Sequence, residues 1–134
     1  MLRCVRLYTD DSGESCFEEG VLSMPEQQGV TQGTLIAQAK SISFRETSSG
    51  GSFDWHTAPT YQFVLTLKGT LEFETRRGER FTIYPGDVLL AGDLTGGGHR
   101  WHLVDEQPWC RAYVALDEHS EINFIPNSST GAQQ

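Results

Sequence analysis

Asp54-Trp55-His56-Thr57-Ala58-Pro59-Thr60-Tyr61-Gln62-Phe63-Val64-Leu65-Thr66-Leu67-Lys68-Gly69 is the stretch around which the rest of the chain is organised. It reads as a loop entering a strand. In an extended backbone alternate side chains share a face, so Asp54, His56, Ala58, Thr60 and Gln62 are expected on one side. The Lys68-Gly69 pair then supplies a turn.

Downstream, residues 70–75 alternate Leu71 and Phe73 against Glu72 and Glu74, the pattern of a half-exposed antiparallel strand. A hairpin tip at Arg77-Gly78 leads to a second alternating strand over 80–84. Pro85-Gly86-Asp87 predicts a sharp turn, because proline presets φ and glycine accepts the positive φ that follows. Residues 88–91 read as a short buried strand, 92–98 as a glycine loop, and 99–104 and 109–116 as two further strands. Upstream, residues 2–8 alternate apolar and basic side chains as a half-buried strand ending in a turn over 9–13, and Cys16-Phe17 belongs to a second short strand. Residues 20–33 read as a loop with a turn around Met24-Pro25-Glu26-Gln27, residues 35–45 as a strand, and 46–52 as a flexible connection.

Short strands separated by glycine-bearing turns, with no helical period between them, predict an all-β sandwich or barrel. A chain of 134 residues is one domain, long enough to bury roughly two thirds of its unfolded surface without staples. The expected division is a barrel over 1–116 and a polar tail over 117–134 whose last part is disordered unless Ile122, Phe124 and Ile125 pin what precedes it. Apolar runs of about five residues are too short for a transmembrane helix, and the first residues carry no secretory core, which predicts a cytoplasmic protein. Cys4, Cys16 and Cys110 form no Cys-x-x-Cys pair and are expected as reduced, inert thiols. A formal net charge of −8 without a basic patch argues against nucleic acid and anionic membranes as partners.

The stretch 54–69 resembles the first motif of the cupin family, in which a His-x-His pair, a later Glu and a Gly build half of a metal site in a small barrel. His56 occupies the first histidine position, Ala58 stands at the second, Gln62 takes the glutamate position and Gly69 closes the motif. The turn Pro85-Gly86-Asp87 followed by 88–91 is similar to the cupin intermotif turn and strand, and the loop 92–98, about two residues longer than usual, delivers His99 as the counterpart of the second motif's histidine. Residues 6–8 and 15–19 also resemble those of small single-domain bacterial cupins. The resemblance implies a cupin-type antiparallel β-barrel, or jelly roll, that binds a small organic ligand and forms a homodimer.

A full cupin site would hold a divalent metal such as Fe, Mn, Ni or Zn through imidazoles and a carboxylate. Here the resemblance leaves His56, Gln62 and His99 as metal ligands, with the metal weakly held or absent, because an amide replaces a charge and Ala58 removes a donor. Asp54, at the parity of His56, could restore a carboxylate or orient the ring, so His56 and Asp54 are the candidate catalytic pair. Thr60 and Gln62 would supply neutral hydrogen bonds, and Trp101, which shares parity with His99, would line the barrel mouth against ligand. His102 falls at the opposite parity and is expected at the surface, as is His119. Proton-transfer chemistry of a lyase, isomerase or cyclase, a metal-dependent dioxygenase, and a non-catalytic ligand-binding or sensor protein all stay open, since a shared fold does not choose among them.

Overall fold

In the computed structural model, which describes residues 1–26, 29 and 33–127, eleven strands and no helix make up the regular structure. They are β1 (Leu2–Thr9), β2 (Ser15–Leu22), β3 (Ala39–Thr47), β4 (Ser52–His56), β5 (Gln62–Lys68), β6 (Leu71–Thr75), β7 (Arg80–Ile83), β8 (Val88–Ala91), β9 (His99–Leu103), β10 (Trp109–Leu116) and β11 (Phe124–Pro126). A seven-stranded sheet of order β11-β2-β1-β8-β5-β10-β3 faces a four-stranded sheet of order β4-β9-β6-β7. All pairings are antiparallel apart from β1 with β8. This is an all-β jelly roll.

Strand parity sorts the core into two layers. Between the sheets Val5, Leu7, Val64, Leu89 and Trp109 of the larger sheet meet Leu71, Phe73, Phe81 and Trp101 of the smaller. Phe73 stacks on Phe81 with centroids 5.0 Å apart, and Trp101 meets Trp109 edge to face at 4.6 Å. Side chains of this size each contribute about 1.5–3 kcal/mol by burial, so this layer supplies most of the clamp between the sheets. On the outer face of the larger sheet Cys4, Leu22, Phe63, Val88, Leu90 and Leu116 form a second cluster, covered by Leu35, Ala37, Ile122 and Phe124.

Several boundaries differ from the sequence reading for identifiable reasons. β2 continues through Gly20 to Leu22, because Gly20 leaves the space that β11 needs: a Cβ there would lie 2.2 Å from the Ile125 carbonyl oxygen. Leu35 and Ala37 are not in β3, which starts at Ala39 and runs on to Thr47; they pack on the outer cluster instead. Phe124–Pro126 pairs with β2 beyond residue 116, so the hydrophobic residues of the polar segment do join the sheet. Glu26 bridges Gly33, while Gln27 of the expected turn and residues 128–134 of the tail lie outside the described residues.

The stretch 54–69 is not extended throughout. Along β4 and β9, Ser52 pairs His102 and Phe53 pairs Trp101, but His56 pairs His99, so an extra residue is accommodated between Phe53 and His56. A bulge of this kind switches the face on which following side chains emerge. Residues 57–61 then bend before β5 begins at Gln62. The expected common face from Asp54 to Gln62 is therefore broken in two places.

Candidate functional site

A cavity of about 360 Å³ opens between the two sheets, lined among others by Phe53, His56, Gln62, His99, Trp101 and Trp109. His56 ends β4, His99 starts β9 and Gln62 starts β5, so three strand ends meet at this part of the cavity. The bulge brings Phe53 and His56 to the same side, with ring centroids 4.3 Å apart, and sets His56 against His99 at 4.4 Å.

Gly98 makes that approach possible. Its φ of +81° is a conformation that side chains disfavour, and a Cβ there would sit 2.6 Å from the main-chain oxygen of His56.

Each imidazole is held from behind. His56 Nδ1 lies 2.7 Å from the main-chain oxygen of Asp54, and His99 Nδ1 lies 2.7 Å from Asp93 Oδ2. A carbonyl oxygen only accepts, so His56 Nδ1 carries the hydrogen, and the same donation to Asp93 sets the tautomer of neutral His99. Both Nε2 atoms are then left as acceptors. Asp93 is fully buried; its Oδ2 also accepts from the Ser15 hydroxyl at 2.6 Å, and Ser15 Oγ accepts from the Gly98 amide at 3.1 Å. This chain of contacts ties the glycine loop, β2 and His99 into one support. Burial pushes the His56 imidazolium toward deprotonation and outweighs the opposing contact with the Asp54 carbonyl, so its pKa lies below the ordinary 6.5.

The other candidates fall as follows. Gln62 is buried and lines the cavity, as does Trp101. Asp54 is exposed and belongs to an outer groove with Glu74, Arg100 and His102; its contact with His56 comes from the main chain, and its carboxylate accepts from the Trp55 amide. The expectation that the Asp54 side chain faces His56 is thus corrected by the bulge. Thr60 sits in the bend before β5 and is not among the residues lining the cavity. His102 points away from His99, 3.7 Å from Glu72. Trp55 lies between the guanidinium groups of Arg76 and Arg100, 4.2 and 4.6 Å from the ring centroid.

Sequence reasoning missed Asp93, Ser15, Arg45, Arg111 and Tyr113. Asp93 stands six residues before His99 in a glycine-rich loop, where no local pattern announces a carboxylate that turns inward. Arg111 is buried in β10, Arg45 opposes it in β3, and both line the cavity with Tyr113.

Residues 41–124 match the family described as AraC-like ligand binding domain. The chain belongs to this family. Its members have the cupin fold, in agreement with the jelly roll described above, and the AraC-like domain is a small-molecule-binding unit. A relative is the "Oryzines biosynthesis cluster protein J" of Aspergillus oryzae, 34% identical over 64 residues, which amount to 47% of this chain and 34% of that protein. The match therefore spans about a third of the relative's length. The AraC-like match starts within β3, so Ser15, which supports Asp93, lies outside it.

Cupin-fold domains can hold metals, and the donors in this cavity are His56, His99 and Gln62. Among the described residues no three His, Cys, Asp or Glu side chains come together as a metal cage. Asp93 is committed to His99 Nδ1 and Ser15, and Gln62 offers a neutral amide. Two imidazoles and an amide do not fit the charged ligand set that holds a divalent ion firmly. No helix of the described residues is long and apolar enough to cross a membrane.

Proposed function

We propose that this domain binds a small organic molecule between its two sheets, with His56 Nε2, His99 Nε2 and the Gln62 side chain reading one polar group of it. The observation that supports this most is the pair of imidazoles tied through Nδ1 and lining a cavity beside Phe53, Trp101 and Trp109, which leaves two preset acceptors there while the rings are neutral. Preset acceptors select a hydroxyl or amine on a ligand because their rings need not reorganise on binding. A volume of about 360 Å³ suits a small ligand, near the lower end of common ligand pockets.

The same geometry supports a proton-transfer reaction in a bound substrate. His56, neutral at pH 7 because burial lowers its pKa, would accept a proton through Nε2. His99 backed by Asp93 would stabilise positive charge formed beside it. This favours lyase, isomerase or cyclase chemistry over the dioxygenase reading, for which His56, His99 and Gln62 are joined by no free carboxylate that would offset a metal's charge. Homodimer formation is proposed through β3, a sheet edge that exposes Ile42 at 58% and Phe44 at 71%. Sedimentation of wild-type protein as a dimer and of Phe44→Asp as a monomer tests that part.

A calorimetric screen of small hydroxylated and amino compounds tests the main proposal. Saturable binding lost in His56→Ala and His99→Ala, and retained in Asp54→Ala, is the expected result. Binding that survives both histidine changes removes the imidazole pair from the site.

A further inference from the structure

The cavity wall opposite the four-stranded sheet carries two guanidinium groups that pair with no carboxylate among the described residues, one buried at Arg111 and one exposed at Arg45 on the edge strand β3. Arg111 on β10 is directly opposite Arg45 on β3 in the strand register, and both line the cavity. Like charges facing each other across an antiparallel pair repel, and a buried guanidinium without a counter-charge is costly. Arg111 is nevertheless only 7% exposed. Among the described residues it makes no ion pair, and no Asp or Glu lines the cavity, although the chain as a whole carries −8.

The hydrogen bonds of Arg111 are one-sided. Nη1 donates to Thr47 Oγ1 at 2.7 Å and to the Trp109 main-chain oxygen at 3.1 Å, and Nε donates to Tyr113 Oη at 3.3 Å. Nη2 has no such partner among the described residues. The guanidinium is fixed over the Trp109 ring, 3.9 Å from its centroid, while Arg45 lies 4.8 Å from the Tyr113 centroid. Two cations are thus oriented by aromatic faces and hydroxyls, all of which leave their positive charge intact. Protein carboxylates are spent elsewhere: Glu72 and Glu74, for example, meet Arg80 and Arg100 on the outer surface.

We infer that the ligand is a carboxylate, whose anionic group sits between Arg111 Nη2 and Arg45 while its apolar body lies against Trp101 and Trp109. This rests on the proposal that the cavity binds a small molecule and adds the charge class of that molecule. The register separates the two polar regions: Arg111 is aligned with Thr66, four residues along β5 from Gln62. At about 3.3 Å per residue that is ~13 Å of strand, so one small carboxylate group does not contact both and the acid is read at its own end.

Calorimetric titration with benzoate, phenylacetate and cinnamate, each against its primary amide, tests the inference. The amides keep shape and polarity and remove only the charge. At least one acid is expected to bind about 10-fold or more tightly than its amide, as one charge-assisted contact of moderate strength provides. That preference falls to about 2-fold or less in Arg111→Met and is partly lost in Arg45→Gln, with affinity for the amide unchanged. If Arg111→Met does not fold, Arg111→Lys and Arg45→Gln carry the test. Equal binding of acids and amides, or a preference that survives at both arginines, overturns the carboxylate inference and leaves cavity binding standing. No heat from either series overturns the carboxylate inference, and the screen of hydroxylated and amino compounds decides cavity binding separately.

Discussion

The two polar regions of the cavity are prepared in opposite ways. At the histidine end every Nδ1 has its acceptor, and Asp93 is itself held by Ser15, so the rings are fixed before any ligand arrives. At the arginine end the side chains are positioned but their charge is not answered. The first region is built by a loop, two adjoining strand ends of the smaller sheet and the start of β5 in the larger, where removing one member leaves buried polar groups without partners. The second is built on adjacent strands of one sheet, where removing a charge relieves a cost as well as losing contacts. Preorganisation and stability therefore coincide at the histidines and separate at the arginines.

The largest effect is expected from Asp93→Ala. It strips the acceptor from His99 Nδ1 and from the Ser15 hydroxyl in a fully buried place, and should cost about 3–5 kcal/mol in denaturant unfolding. A loss below ~1 kcal/mol would mean that the supporting chain is not what holds this end. Gly98→Ala comes next, at about 2–3 kcal/mol, because the left-handed φ and the contact with the His56 backbone both have to give. Arg111→Met without ligand is the contrasting case: unfolding should shift by no more than about 1 kcal/mol, since the lost hydrogen bonds are offset by removal of an unpaired buried charge. A cost as large as that of Asp93→Ala would erase the difference between the two ends.

The pH dependence sharpens the same contrast. His56 has a folded pKa below the ordinary 6.5, so between these two values the unfolded chain binds more protons than the folded one. Stability is then full above 6.5 and falls as pH drops through that value toward the folded pKa. In His56→Gln that part of the slope should vanish in urea titrations run from pH 8 to pH 5; an unchanged slope would assign it to other groups. The smallest effect belongs to His102→Ala, whose exposed contact with Glu72 is worth under ~0.5 kcal/mol, and which checks that histidine loss as such is harmless.

Most of the fold was legible because alternation and turn chemistry act locally. The strands around Leu71, Phe81, Val88 and Trp109 follow from apolar parity bounded by Gly69, Gly78 and Pro85-Gly86. The cupin resemblance named the jelly roll from those same residues, and the AraC-like match agrees. The site was legible only in part. His56, Gln62 and His99 could be placed by the cupin resemblance and Trp101 by its parity with His99, and all four line the cavity. Asp54 was assigned by carrying that parity through a bulge, and Thr60 by carrying it through a bend, neither of which leaves a signal in the side chains present. Asp93 and the Arg45–Arg111 pair depend on contacts between distant segments: Ser15 with Asp93, and β3 beside β10. A single sequence carries no local trace of such pairings.

The most direct measurement is an amide and indole chemical-shift map of the protein titrated with the tightest compound from the calorimetric screen. The account predicts the largest changes at the indole N–H groups of Trp101 and Trp109 and at His56 and His99, inside the cavity. Changes confined to the outer groove of Asp54, Glu74, Arg100 and His102 would contradict it.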